Sequence, residues 1–413
     1  MKRKDITEIK KRFTKDKCTF TKISTCLVNS DKKVLLSTKE SFLNLEDDDF
    51  FRYLEIAKKA LSGTIGNNLL ELNFKVDGSL ENEKQMSLIK LKKSKLNDDD
   101  LLEEFYQSII DNYVYDENYL ILVFHDVYDI IKKTTDNMKL DESEEVYEYI
   151  ICAICPVSLS DPDLKYYEED QKIMSRKRDW VVGPPSLGFT FPAFIDRGPD
   201  VNSVIYYTKN AKNPHVEIME ETLACIPKQT TSIQRLNFKD LISSTIDIED
   251  EKDQEKYMLI HENLNSLVEE HNEIHKDDPD AEPIPLTKKD MQNILLESGI
   301  EEEATNLIDR SFDEVFEDQA PIAEKLIDKN MVELSSIKRE EKQLRKKVLD
   351  LENELNEIDQ LKTQYDIILQ INPEKVPHVK TKLVDGQKSI VIPLEDYEHV
   401  KINDLEEDSS LTD

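Results

Sequence analysis

Two runs constrain the fold of this chain more than any other feature. NYLILVFHDVYDI (118–130) and VYEYIICAICPV (146–157) are dense in branched and aromatic residues and predict a pair of buried strands. The flanking pattern supplies helices and further strands. A helix is expected over about Ile6–Phe13, and then a hairpin from CTFTKISTCLVNS and KKVLLSTK. DDDFFRYLEIAKKALSG reads as a helix with an acidic first turn, a face of Phe50, Leu54, Ala57 and Leu61, and Gly63 at its stop. Leu69–Phe74 and Met86–Leu91 are expected as strands, with NDDDLLEEFYQSIIDNY as a helix between them and the buried pair. Shorter strands follow at Leu164–Glu168, Phe189–Phe194 and Val201–Tyr207. Residues 1–212 thus read as an α+β domain with a β-meander.

The composition shifts near Asn213, and residues 213–275 read as helical. An acidic, proline-rich linker spans 276–286. A second helical region, 287–333, opens on Thr287 as N-cap with Asp290 at the capping-box position and Gly299 as a stop. From 334 to 365 a heptad register appears, with Leu334, Val348 and Leu355 at a and Ile337, Leu344, Leu351 and Ile358 at d. Glu341 and Lys362 are charged intruders at a. Such a helix is about 48 Å long at ~1.5 Å per residue. It serves either as an oligomer seam or as an amphipathic helix lying on its own domain. A C-terminal β-unit (366–402) with an Asp385-Gly386 turn and an acidic tail (403–413) complete the chain.

Charge bears on partners. The chain of 413 residues carries a formal charge of -32, which argues against a protein that coats phosphate backbones over its whole surface. Five cysteines form no disulfide framework, and no apolar run is long enough for a membrane span or a secretory signal. A reduced, cytoplasmic protein is expected.

Few constellations suggest chemistry. Cys152 and Cys155 form a C-x-x-C spacing, but on a strand residues three apart face opposite ways, so two separate buried thiols are expected. His271 and His275 have chelating spacing without a third ligand and read as a solvated helix end. His125 and Asp126 are strand neighbours on opposite faces, so adjacency gives no acid–base dyad. Gly63 and Gly66 lie in LSGTIG, which lacks the lysine of a phosphate loop. No cofactor set, metal set or catalytic residue is expected from the sequence.

Two basic patches oppose the overall charge. Residues 1–17 hold eight Lys/Arg against three Asp/Glu, a balance of +5. Residues 171–212 hold seven against three, a balance of +4, interleaved with Trp180, Phe189, Phe191, Phe194, Tyr206 and Tyr207. Basic groups beside aromatic platforms suit nucleic-acid contact, and Arg176, Lys177, Arg178, Trp180, Arg197 and Lys209 are the candidates. The alternative makes the aromatics core and the charges a solvated rim. Within this patch, RDWVVGPPSLGFTFPAFIDRG reads as two short strands whose turns are set by glycine and proline.

KDITEIKKRF, ESFLNL, LSGTIGNNLL, SEEVYEYIICAICPVSLS, RDWVVGPPSLGFTFPAFIDR and INPEKVPHVKTKLVDGQKSIVIPL together resemble an uncharacterised bacterial family, domain-of-unknown-function family 4317, over nearly the full length. That resemblance implies a cytoplasmic protein and brings no activity, ligand or residue role. The order of elements is also similar to the 37-kDa nucleoid-associated protein family, a likeness of layout without a shared motif. The leading expectation is a non-catalytic accessory protein touching DNA through the basic patch. A scaffold or homo-oligomer built on the heptad helix comes next, and an enzyme with scattered carboxylates and histidines last.

Overall fold

The computed structural model describes residues 1–76, 82–133, 139–248, 250–276, 281, 283–316, 319–364, 369 and 371–394. The chain opens with helix α1 (Arg3–Lys10), then strands β1 (Phe20–Val28) and β2 (Val34–Ser41), helix α2 (Asp47–Lys59) and strand β3 (Leu69–Asn73). Helices α3 (Glu83–Lys93) and α4 (Asp99–Asn112) precede the two long strands β4 (Asn118–Lys133) and β5 (Lys139–Leu159). Short strands follow: β6 (Leu164–Tyr167), β7 (Lys172–Ser175), β8 (Trp180–Val182), β9 (Leu187–Phe191), β10 (Ala193–Ile195), β11 (Gly198–Asp200) and β12 (Ser203–Thr208). The remainder is α5 (Thr231–Ser243), α6 (Glu251–Ile274), α7 (Lys288–Glu297), α8 (Glu302–Phe316), α9 (Ala323–Leu326), α10 (Lys329–Gln364) and the hairpin β13 (Lys380–Val384) and β14 (Gln387–Val391).

An antiparallel sheet runs β2-β1-β4-β5-β9-β12-β3, with β8 pairing the end of β5. β4 and β5 lie at its centre, which accounts for their density in apolar residues. Tyr119, Ile121 and Val123 of β4 join Ile150, Cys152 and Ile154 of β5 in one core, beneath α3 and α4. Leu122 and Phe124 join Tyr147, Tyr149, Ile151 and Cys155 in the other, which α1 and α2 cover. Both faces are buried, so the polar alternation of a half-exposed strand is missing. Each fully buried Leu, Ile or Phe contributes about 1.5–3 kcal/mol. Cys152 and Cys155 do fall on opposite faces.

Helices α5 to α9 share a third core, including Phe238, Ile260, Leu264, Ile294, Ile308 and Phe312. Thr287 and Asp290 form the expected capping box, and Gly299 takes φ +78° just past α7. One compact unit is Met1–Ser335 and a second is Ser336–Asp413. Within the second, Asp385 and Gly386 hold positive φ between β13 and β14, as the expected two-residue turn requires. Parts of YDIILQINP, the side chain of Lys362 and the acidic tail lie outside the described residues.

Two expectations are corrected. Met86–Leu91 belongs to helix α3. The Asn82 side chain accepts the backbone N–H groups of Lys84 and Gln85, and Leu88 and Leu91, three apart, bury on one face. The straight-chain Lys, Glu, Gln and Met residues around them favour helix over the apparent alternation. Gly188 sets no turn; it lies inside β9, where a Cβ would stand 2.6 Å from the Cys152 carbonyl oxygen of β5.

Candidate functional site

The aromatic half of the basic patch divides sharply. Phe189, Phe191, Phe194, Tyr206 and Tyr207 are buried in the sheet cores and present no stacking surface, as the core alternative expects. Trp180 on β8 is 60% exposed; β8 has three residues and, among the described residues, pairs only with the end of β5. Arg176, Lys177 and Arg178 lie in the connection just before it. Arg176 and Lys177 line a hollow of about 440 Å³ together with Lys165, Tyr167, Asp163 and Asp179. The Arg178 guanidinium donates to the Ser160 carbonyl at 2.7 Å, which fixes it beside β5.

Arg197 sits elsewhere. Its guanidinium pairs with the Glu8 carboxylate at 3.2 Å, in a network on the α1 side of the sheet. Tyr128 donates its hydroxyl to Glu8 at 2.8 Å, and the Arg12 guanidinium lies 3.8 Å above the Tyr128 ring. Asp126 accepts from Thr19 at 2.6 Å and from the Tyr149 hydroxyl at 2.5 Å, with Arg12 4.0 Å away. Burial raises the Asp126 pKa, opposed by the bonds from Thr19 and Tyr149 and by the Arg12 charge. Lys15 bonds Asp47 at 2.5 Å. Arg12 and Lys15 of the basic N-terminus are therefore engaged with groups of the chain itself. Lys209 is exposed, and its backbone N–H donates to the Ser186 carbonyl.

His125 is on the other face from Asp126, within 2.6 Å of the Thr21 hydroxyl and 3.2 Å of Glu148. Burial lowers its pKa, against the raising influence of Glu148. Burial also pushes the Cys155 thiol up to about 12 and Cys152 higher still, so neither is poised as a thiolate. The His271 and His275 rings stand 4.3 Å apart on an exposed helix end. Among the described residues no group of three or more His, Cys, Asp or Glu side chains is placed to hold a metal. No described helix is long and apolar enough to cross a membrane.

The heptad residues behave differently from everything else in the chain. Leu334, Ile337, Leu344, Val348, Leu351, Leu355 and Ile358 are between 42% and 60% exposed on α10. Seven large apolar side chains at a and d spacing thus form an uncovered stripe on a helix of 36 residues.

A cavity of about 830 Å³ was not legible in the sequence. It lies between α2, Lys10 of α1 and the Val181–Pro185 segment. Its residues are scattered between positions 10 and 185, and no local motif links them.

These features define an α+β protein: a central antiparallel sheet covered on both faces, an added helical core, and a long helix with an open heptad stripe. The chain belongs to the family described as a domain of unknown function, DUF4317, whose model matches residues 1–405. No curated protein matches it.

Proposed function

We propose that this chain is a self-assembling scaffold protein whose α10 pairs with α10 of a second copy. The uncovered a/d stripe carries this reading. Charge supports it. Residues 329–364 hold eight Lys/Arg against eight Asp/Glu, a balance of zero in a chain of -32. This long helix can meet its own copy without the repulsion that the rest of the chain imposes.

The flanking charges favour a parallel pair. In a parallel two-stranded arrangement each g position faces the e position five residues on in its partner. That sets Glu333 against Lys338, Glu340 against Arg345 and Lys347 against Glu352, three pairs of opposite sign, with Glu354 against Asp359 the one pair of like sign. An antiparallel pair centred on the same heptads sets Glu340 against Glu354 and Lys347 against itself. Val348 at a, between Leu344 and Leu351 at d, suits two strands, whereas Leu334 and Leu355 at a with Ile337 and Ile358 at d suit a higher order, so the central layer carries the choice of two. Sedimentation equilibrium of the full chain should give twice the chain mass at micromolar concentration. The Leu344→Asp/Leu351→Asp variant should give the single mass. A single mass for the wild type, or a dimer that survives both substitutions, overturns the reading.

A second reading has its own observation: the exposed Trp180 beside Arg176, Lys177 and Arg178. An exposed indole next to cations suits base stacking and phosphate contact. Asp163 and Asp179 in the same hollow and the burial of the other aromatics place it second. Fluorescence anisotropy of labelled single-stranded DNA checks it. Trp180→Ala and Arg176→Gln/Lys177→Gln should each weaken binding at least threefold if the surface is used, and unchanged affinity in both removes it.

A further inference from the structure

We infer that the cavity between α2 and the Val181–Pro185 segment is a binding site for a small amphipathic acid, with an anionic head and an apolar body. The head end is built from lysines. Lys10 Nζ donates to the Ser62 hydroxyl at 2.7 Å, and Ser62 donates in turn to the Lys58 carbonyl at 2.7 Å, so the ammonium is held at the cavity wall. Lys58 and Lys59 line the same end. Among the described residues neither they nor Lys10 have a carboxylate within ion-pair distance, in a chain where acids outnumber bases 87 to 55. Burial lowers the Lys10 pKa, and the charges of Lys58 and Lys59 lower it further. Lys10, Arg52, Lys58 and Lys59 stand against Asp49 and Glu55 in the lining, a balance of +2 that an anion placed among the lysines offsets.

Much of the remaining lining is apolar, with Asp49, Arg52 and Glu55 among it. Val181 and Val182 of β8 are 47% and 42% exposed and line the cavity together with Tyr53 and Ile56 of α2. Exposed branched side chains on a short strand leave apolar area in water, which a hydrocarbon or aromatic body would cover. Along α2 the lining runs from Asp49 to Lys59. Ten residues of helix at ~1.5 Å each make that wall about 15 Å long, enough for a medium-length acyl chain or a fused aromatic acid. A simple phosphate site would leave the apolar wall unused, and a simple apolar groove would leave the lysines unpaired. The combination of a net positive lining with Ile56, Leu120, Val181, Val182 and two prolines selects a molecule with both parts.

Decanoate, methyl decanoate and inorganic phosphate are the probes, titrated calorimetrically into the full chain. Decanoate should bind saturably, and methyl decanoate, which keeps the chain and loses the charge, at least tenfold more weakly. Inorganic phosphate should not compete. Lys10→Gln/Lys59→Gln should weaken decanoate at least tenfold, and so should Val182→Asp. All these positions are at least partly exposed, and an unchanged thermal midpoint shows that the variants fold. Leu344→Asp/Leu351→Asp should leave decanoate binding unaltered, which separates this site from the α10 stripe. Equal binding of the ester, full competition by phosphate, absence of decanoate binding, or loss of binding only in the α10 variant each overturns the inference.

Discussion

His261 of α6 is 2% exposed and accepts the Asp328 backbone N–H on Nδ1 at 3.2 Å. Its ring packs 4.8 Å from that of Tyr257. Burial pushes its pKa from 6.5 down to about 4, with Asp328 pulling upward and Arg235 downward. The unfolded chain therefore takes up a proton near pH 6.5 that the folded chain refuses until about pH 4. The stability this residue supports is intact above pH 6.5 and falls as pH drops toward 4, by on the order of 3 kcal/mol over the interval. Between pH 7 and pH 4.5 the calorimetric midpoint of the wild type should fall further than that of His261→Gln, whose amide does not titrate there. Parallel curves would show that His261 does not carry this dependence. Gly188 supplies a steric counterpart. Alanine there brings Cβ against the Cys152 carbonyl oxygen, a backbone atom fixed in the sheet, and should cost about 1–3 kcal/mol in a urea titration. An unchanged midpoint would mean that β9 shifts freely relative to β5.

Element by element, α10 makes the sharpest prediction. Glu341 occupies an a position, and its carboxylate accepts a bond from Arg345 of the same helix at 2.7 Å. In the proposed pair it faces its own copy, so Glu341→Leu should tighten the dimer more than tenfold in sedimentation equilibrium. No change would mean that the seam does not reach that layer. The long helix α10 was readable because its apolar period is a local property of a sequence. The same holds for the Thr287–Asp290 capping box, the Asp385-Gly386 turn and the opposite-facing cysteines of β5. Helix α3 was misread because six residues, Met86–Leu91, offer too little length to separate a period of 2 from one of 3.6. The cap that decides it, Asn82, lies outside that window. Strands β7 and β11, of four and three residues, left no pattern long enough to read. The lysine end of the cavity is a product of tertiary folding. Lys10 meets Lys58 and Lys59 only because α1 and α2 pack on one face of the sheet, and Val181 arrives through β8.

For the whole molecule, net charge sets the last test. Two copies that associate bring together chains of -32 each, and the neutral α10 removes repulsion only along the seam. The remaining acidic surface still repels over a Debye length, about 30 Å at 0.01 M salt and about 8 Å at 0.15 M. The apolar a/d contacts are insensitive to this change, and the exposed e/g pairs are worth only about 0.2–1 kcal/mol each. Screening of the long-range term should therefore win, and the dimer should tighten as salt rises from 0.01 to 0.15 M. Contact with DNA obeys the opposite sign: affinity must fall log-linearly with salt as counterions are released from phosphates, with a slope that counts them. Paired salt series in sedimentation and anisotropy thus separate the two readings on one preparation. Tightening self-association with flat, weak DNA binding identifies the scaffold. A steep fall in DNA affinity that flattens in Arg176→Gln/Lys177→Gln identifies the Trp180 surface as the working one. A dimer that loosens over the same interval would show that ion pairs rather than the apolar seam hold it, and would remove the heptad stripe as its cause.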